Sequence, residues 1–488
     1  MDSTPLIALA QLMYFMYNSR IAVIYSRNSR SAYADRGYEQ HYQNLDPDEY
    51  PTISIMLPAY NERENVLRRN IGYIKRADYP SKKLDVLAVT EDGDGATRKT
   101  IERLQNDHPF LRSVIVPNNN DESWDEIWKI WEQKNVPWLN YGRDIPTMKP
   151  RALDYTLYKA VEGDITTIFD AEDIIDPTIF KRAAYVLANG ADCAQGRLKF
   201  VNHADSLLSL QAVGDYAFWF GTRFYGMLRH VKKKRLPISL AGTSYFIKTD
   251  LLKELGGWDP TNMTEDAELG MRLYGYGHKV DLIDTDTFEE APRKFFKTTT
   301  EGGWMNQRTR WARGFLKTVR DLKTMPYSRT DKLKMYYTLL FSPVFPLINL
   351  LGYPIMAYSA LNKPDEIPLW LNTLSNVNSV WLGLFYYMSV RGLAETIGKD
   401  LKSTEEKIKT YGKYAATLLP YWVLQALPVV NAIKQEITEP IYWDKTDHLG
   451  LHHKTVEKLM EEATTDLKQT DRQQTNRKQE LEEELLAV

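Results

Sequence analysis

Short apolar stretches alternate with amphipathic ones from residue 52 to 116. Thr52-Ile53-Ser54-Ile55-Met56-Leu57-Pro58 reads as a buried strand that breaks at Ala59-Tyr60-Asn61-Glu62, and a helix follows from about Glu64 to Ala77. Leu84-Asp85-Val86-Leu87-Ala88-Val89-Thr90 reads as a second strand running into acidic residues. A helix from Thr97 to Asp107 leads to a third strand, Arg112 to Val116. This β-α-β-α-β order predicts an α/β domain with a doubly wound, Rossmann-like parallel sheet. Ligands of such sheets bind at the carboxyl ends of the strands. Tyr60-Asn61-Glu62 and Glu91-Asp92 fall there. Residues 118 to 146, rich in Asn, Trp and Asp, read as an insertion or flexible loop. A helix from Ala152 to Glu162 precedes the strand Ile165 to Phe169, which ends in Asp170.

The pattern changes in the second half. Ala204 to Leu228 is apolar and aromatic, as expected of a helix on a membrane or under an acceptor. The basic run within Val231 to Arg235 fits a lipid-headgroup contact or a solvated turn. Three runs carry no charge: Met335 to Asn362, Ile367 to Val390 and Tyr414 to Ile433. Each is long enough to span a bilayer, although buried helices of a large domain read the same way. The basic stretch 391 to 413 belongs on the cytoplasmic side by the positive-inside tendency. Met1 to Ser19 is moderately apolar without a basic n-region or cleavage site, and reads as an interfacial or marginal spanning helix. The division expected is 1–50 for this apolar segment and a linker, and 51–325 for a catalytic domain. Membrane helices over 326–440 and a juxtamembrane segment with a charged tail over 441–488 complete it.

Composition narrows the classes. At 488 residues, two or three domains fit. Lys+Arg 62 against Asp+Glu 64 implies no nucleic-acid partner. A single cysteine, Cys193, excludes an intramolecular disulfide.

Four clusters carry chemistry. Asp170-Ala171-Glu172-Asp173 follows a strand and offers hard oxygen ligands suited to Mg²⁺ or Mn²⁺. A helix cap fits it equally. Glu91-Asp92-Gly93-Asp94 is an acidic turn, or a carboxylate that accepts a base N–H or binds ribose. In Thr264-Glu265-Asp266 the acids suit a first helical turn, and Asp266 also suits a general base. In Gln307-Arg308-Thr309-Arg310-Trp311 the guanidinium forks fit phosphate oxygens and Trp311 offers a flat face to a sugar. An interfacial helix with basic residues and Trp at the headgroups also fits. Lys149-Pro150-Arg151 puts a cation near phosphates or forms a surface turn, and Gly242 permits close backbone approach.

With Pro58-Ala59-Tyr60-Asn61-Glu62, Gly242-Thr243-Ser244, Gly256-Gly257-Trp258-Asp259 and the closing Ile441-Tyr442-Trp443-Asp444-Lys445-Thr446-Asp447-His448, these pieces resemble a membrane-integrated family 2 glycosyltransferase of the processive, cellulose-synthase-like type. The resemblance covers roughly residues 52 to 320. It implies a GT-A nucleotide-sugar transferase fold followed by interfacial and transmembrane helices. Pro58, Tyr60, Glu62, Asp92, Asp94, Lys149 and Asp170 are then donor-binding residues, with Asp92 on the uracil. Asp170 and Glu172 form the metal pair. Asp266 is the base; Arg308 and Arg310 lie near the diphosphate and Trp311 beneath the acceptor sugar, with Glu265 and Gln307 also counted among the catalytic residues. The expected activity is inverting, metal-dependent transfer from a UDP-sugar to a growing β-linked polysaccharide. Single-sugar transfer to a lipid carrier and a catalytically silent export subunit are the alternatives. The expected partners are the UDP-sugar, a glycan acceptor, the lipid bilayer and a secretion or regulatory subunit. The expected location is the cell membrane, multi-pass, with the catalytic domain cytoplasmic. Two departures stand out: Glu172 replaces the Asp of many members, leaving its division of labour with Asp173 open, and the membrane part is lean.

Overall fold

The structure is a computed structural model. It describes residues 45–298 apart from 225–226 and 228–235, residues 303–438 apart from 363–367, and Tyr38–Tyr42, Leu12 and Phe15. The remainder of the N-terminal apolar segment, most of the linker, the run from Val231 to Arg235 and the segment 441–488 lie outside the described residues.

Eight strands form one sheet in the order β3-β2-β1-β4-β7-β6-β8-β5. The first half matches the expected parallel design. β1 (Ile53–Pro58) lies between β2 (Leu84–Glu91) and β4 (Ile165–Ile168), and β3 (Leu111–Val116) flanks β2, all parallel. The second half corrects the all-parallel expectation. β7 (Tyr245–Lys248) runs antiparallel to both β4 and β6 (Cys193–Phe200). β8 (Val280–Glu289) is parallel to β6, and the two-residue β5 (Ile174–Ile175) is antiparallel to β8. β7 is entered by the tight bend at Gly242 to Ser244, which lies where β4 ends, so β7 runs back along β4. The Ser244 N–H donates to the Ile168 carbonyl at 2.9 Å, so that bend lies beside Asp170.

Successive residues of a strand point to opposite faces. On β1, Ile53, Ile55 and Leu57 join one core and Met56 the other. One face is covered by α1 (Glu64–Lys75), α2 (Gly95–Asp107) and α5 (Ile179–Ala188). The other carries α3 (Asp125–Lys134) and α4 (Lys149–Lys159). The segment 118–146, expected to be a loop, contributes α3 and buries Trp124, Trp128, Trp131 and Trp138. Its polar residues face outward, while Ile127, Trp128 and Trp131 share a buried face at helical spacing.

The helical half begins with α6 (Leu207–Phe218) and α7 (Thr249–Glu254), followed by α8 (Glu265–Gly275) and α9 (Trp304–Asp321). The three uncharged runs fall on α10 (Arg329–Asn362), α11 (Leu369–Ile397) and the pair α12 (Thr404–Leu424) and α13 (Ala426–Thr438). Among the described residues one stretch, Thr404–Thr438, is long and apolar enough to cross a membrane. α11 and α13 nonetheless expose Trp370, Val380, Tyr387, Val430 and Ile437.

α9 is fixed to the loop before α8. Lys317 forms a buried ion pair with Asp259 at 2.6 Å, the two side chains 4% and 6% exposed. A Cβ on Gly314 would stand 2.2 Å from Thr264 Oγ1, so only glycine lets the two elements touch. Lys317→Met strands a buried carboxylate, a change that costs about 3–5 kcal/mol. We expect thermal unfolding of the full chain in detergent to show a clearly lowered midpoint; an unchanged midpoint would refute this anchor.

Candidate active site at the carboxyl edge of the sheet

The ends of β1, β2, β4 and β8 and the start of β7 meet at one edge. α8 and α9 close over it, and α6 and α12 line its far wall. The cleft between them has a volume of about 510 Å³. It is lined by Pro58, Tyr60, Glu62, Lys149, Asp170, Glu172, Glu265, Asp266, Gln307, Arg308, Arg310 and Trp311. Folding therefore brings together twelve residues singled out in the sequence from five separate stretches.

Lys149 stands at the centre. It is the first residue of α4, with Pro150 next to it in the first turn. Its Nζ donates to Asp170 Oδ1 at 2.5 Å and to the Gly242 carbonyl at 2.7 Å. A Cβ on Gly242 would lie 3.7 Å from Asp266 Oδ2, so the bend brings the two acidic clusters to one point. Burial opposes the Lys149 charge, yet Asp170 and then Glu265 outweigh it and raise its pKa.

The Asp170 loop resolves the division between its acids. Asp173 turns inward, 1% exposed; its Oδ2 accepts the Asp170 N–H at 2.8 Å and the Thr243 hydroxyl. Asn70 bonds both the Asp170 and Asp173 carbonyls. Asp173 thus braces the loop, while Asp170 and Glu172 face the cleft. Glu289, at the end of β8, also lines it, and its Oε1 is buried without a hydrogen-bond partner. Burial, then the charges of Asp170 and Glu172, push that carboxyl up. The donor set is hard oxygen, which suits Mg²⁺ or Mn²⁺ and not a soft metal. Among the described residues no group of three metal-binding side chains forms a closed site, so substrate phosphates would have to complete the coordination.

Glu265 and Asp266 open α8, where the helix dipole favours acids. Burial overrides this for both. Asp266 is pushed up to about 6, and Glu265 to about 8 by burial and then by Asp266. Both acids therefore hold their protons to a higher pH than free carboxyls do.

The acidic turn after β2 sits differently from the expectation. Asp92 is 61% exposed, pairs with Arg98 at 3.1 Å and does not line the cleft. Asp94 caps α2 through the Thr97 N–H and accepts the N–H of Asn61, whose backbone is left-handed at φ 52°. Glu91 faces the cleft instead, held by the buried Arg151 at 2.5 Å. Burial raises the Glu91 carboxyl and Arg151 opposes that rise.

On α9 the Arg308 guanidinium lies 4.3 Å above the Trp311 ring. Gln307 is 7% exposed, and its Oε1 is buried without a partner. Of the lining acids, Glu289 and Asp215 escaped the sequence reading, and Glu91 was named only as one member of its acidic cluster. Glu91 had a local signal, because it directly follows an apolar strand. The other two depend on distant partners.

The chain matches the family model described as Glycosyltransferase like family 2 over residues 51–314, more than half its length. It is 26% identical over 274 residues to the "Probable glycosyltransferase YdaM" of Bacillus subtilis, covering 54% of this chain and 56% of that one. The chain thus spans little more than half of that relative. Identity is 24% over 416 residues to the "Beta-monoglucosyldiacylglycerol synthase" of Synechocystis, covering 82% of this chain and 75% of that one. The fold is that of a mannosyltransferase from Pyrobaculum calidifontis solved with GDP-Man and Mn²⁺, at TM-score 0.51 and 16% identity, covering 89% and 98% of the two chains. A sheet-edge cleft lined with acids and arginines, together with the family match across it, establishes that this chain belongs to the glycosyltransferase-like family 2.

Proposed function

We propose that the chain catalyses inverting transfer of a sugar from a UDP-sugar to a glycan acceptor at a membrane surface, with Mg²⁺ or Mn²⁺ as cofactor. The observation that carries this reading is the convergence of Asp170, Lys149 and Asp266 on the Gly242 bend. Glu62, Tyr60 and Pro58 border the donor side, where Glu91 rather than Asp92 is placed to receive the base. Asp170 and Glu172 would hold the cation, with Glu289 close by. The cation, when bound, neutralises charge on the departing diphosphate. The Mn²⁺ and GDP-Man in the Pyrobaculum protein support that assignment.

The acceptor hydroxyl loses its proton to Asp266 as its oxygen attacks the anomeric carbon. The new C–O bond forms opposite the breaking C–O bond, and the diphosphate leaves with the electron pair. Lys149, Arg308 and Arg310 stabilise that leaving charge. Opposite-face attack inverts an α-linked donor into a β-linked product. Trp311 supports the acceptor ring, with Gln307 beside it. Exposed apolar side chains on α11 and α13 support burial of these helices in a bilayer, the catalytic domain being cytoplasmic. Transfer of one sugar to a lipid is the second reading, favoured by the apolar wall of Phe345, Phe385 and Trp422. A silent subunit is disfavoured, because Asp170, Glu172 and Asp266 all face one cleft.

Membranes carrying the full chain should incorporate label from one member of a radiolabelled UDP-sugar panel; no incorporation from any member would refute the reading. EDTA should stop the reaction and Mn²⁺ or Mg²⁺ restore it. Full activity in chelator would remove the metal role from Asp170. Activity should rise with pH through about 6 as Asp266 loses its proton. Asp266→Asn should lower turnover by about a hundredfold or more while UDP still binds. A normal rate in that variant would end the base assignment. A long polymer product favours the glycan reading, and a single labelled lipid favours the second.

A further inference from the structure

We propose that Asp215 and Gln425, with Asp215 held in place by Tyr421, form a saccharide subsite that binds the acceptor next to Trp311. This deepens the glycan-acceptor reading and rests on it.

Asp215 lies on α6 and lines the helical wall of the cleft. Its Oδ2 accepts the Tyr421 hydroxyl at 2.6 Å, Gln425 Nε2 at 3.2 Å and Arg308 Nη2 at 3.4 Å. Its Oδ1 accepts only a 3.5 Å contact from Gln425 among these bonds. One oxygen is thus crowded, and the other keeps acceptor capacity for a hydroxyl. The Arg308 contact is long for an ion pair, so charge pairing alone does not explain a carboxylate in a largely aromatic wall. Burial raises the Asp215 carboxyl, and Arg308 is the first group to oppose that rise.

The surroundings are those of a sugar site. The Tyr216 ring lies 6.4 Å from the Trp311 ring, and Phe385, Tyr414 and Trp422 complete the wall. Flat aromatic faces take the C–H side of a pyranose, while a carboxylate and an amide take its hydroxyls. A simple lipid chain offers no donor to a carboxylate, which makes this island costly against a purely apolar acceptor. Trp304 Nε1 donates to the Tyr421 hydroxyl at 3.3 Å, which fixes the hydroxyl that fixes Asp215.

The test uses the purified full chain in detergent with Mn²⁺, the donors UDP-glucose and UDP-N-acetylglucosamine, and the acceptors cellotetraose and mannotetraose. Pentasaccharide is quantified by mass spectrometry. Asp215→Asn should raise the acceptor KM by about tenfold or more, with UDP affinity by calorimetry within about twofold of wild type. Tyr421→Phe, which keeps the ring, should give a smaller rise in the same constant. If Asp215→Asn weakens UDP binding in parallel with the acceptor, the residue only positions Arg308 and the subsite is refuted. An unchanged acceptor KM in both variants refutes it as well. A wild-type protein that binds UDP but extends neither tetrasaccharide overturns the glycan reading and the subsite together. A wild type that extends them normally leaves only the subsite at stake.

Discussion

One buried ammonium holds the cleft together. Lys149 bridges the end of β4 to the bend before β7 and faces the acids that open α8. Its position at the start of a helix is unfavourable for a cation, so the carboxylates hold it there and the helix dipole does not. The reverse dependence is as strong. Two like charges about 4 Å apart repel by about 4 kcal/mol at an effective dielectric constant of 20. Asp170, Glu172, Glu265, Asp266 and Glu289 line one cleft, and Lys149 is bonded directly to Asp170. Burial, and then the neighbouring carboxylates, hold the carboxyls of Glu289 and Glu265 raised. That group of acids suits a cation bound together with a diphosphate.

Around that point the molecule divides into two halves with different construction. The donor half consists of strand ends, whose positions are fixed by ladders of backbone hydrogen bonds. The acceptor half consists of helices fixed by side chains: Gly314 against Thr264, Lys317 against Asp259, Asp215 against Tyr421. Asn262 ties α9 to the loop before Asp266, donating to the Thr318 hydroxyl and accepting the Thr264 N–H. A shift of α9 therefore moves the base loop with it. On the proposed reading, donor chemistry and acceptor support keep their register through this loop.

What the sequence made legible follows from the range of the interactions. Strands that are apolar throughout and end in acids are local signals, and they located β1, β2, β4 and the acidic clusters. The choice between Glu91 and Asp92 was not legible, because β2 is buried on both faces from Val86 to Thr90 and gives no alternation to phase its end. β8 was missed because Asp281, Asp284 and Asp286 interrupt its apolar pattern. Arg197 on the neighbouring strand pairs with two of them. The tryptophans between 118 and 146 looked like loop residues until the sheet supplied their core. Asp215 is 206 residues from Tyr421, and no local pattern marks such a pair.

The division between halves bears on how such a chain can change its acceptor. Substitutions at strand ends act on Asp170, Lys149 and Gly242 together and disturb the charge balance of the whole cleft. Substitutions on α6 or α12 act on a wall where Asp215 meets Tyr421, Gln425 and Arg308. Removing that island leaves an aromatic surface suited to a lipid, and keeping it leaves a surface that can hold hydroxyls. If the proposed subsite holds, a helix face and not the sheet selects between a glycan and a lipid acceptor.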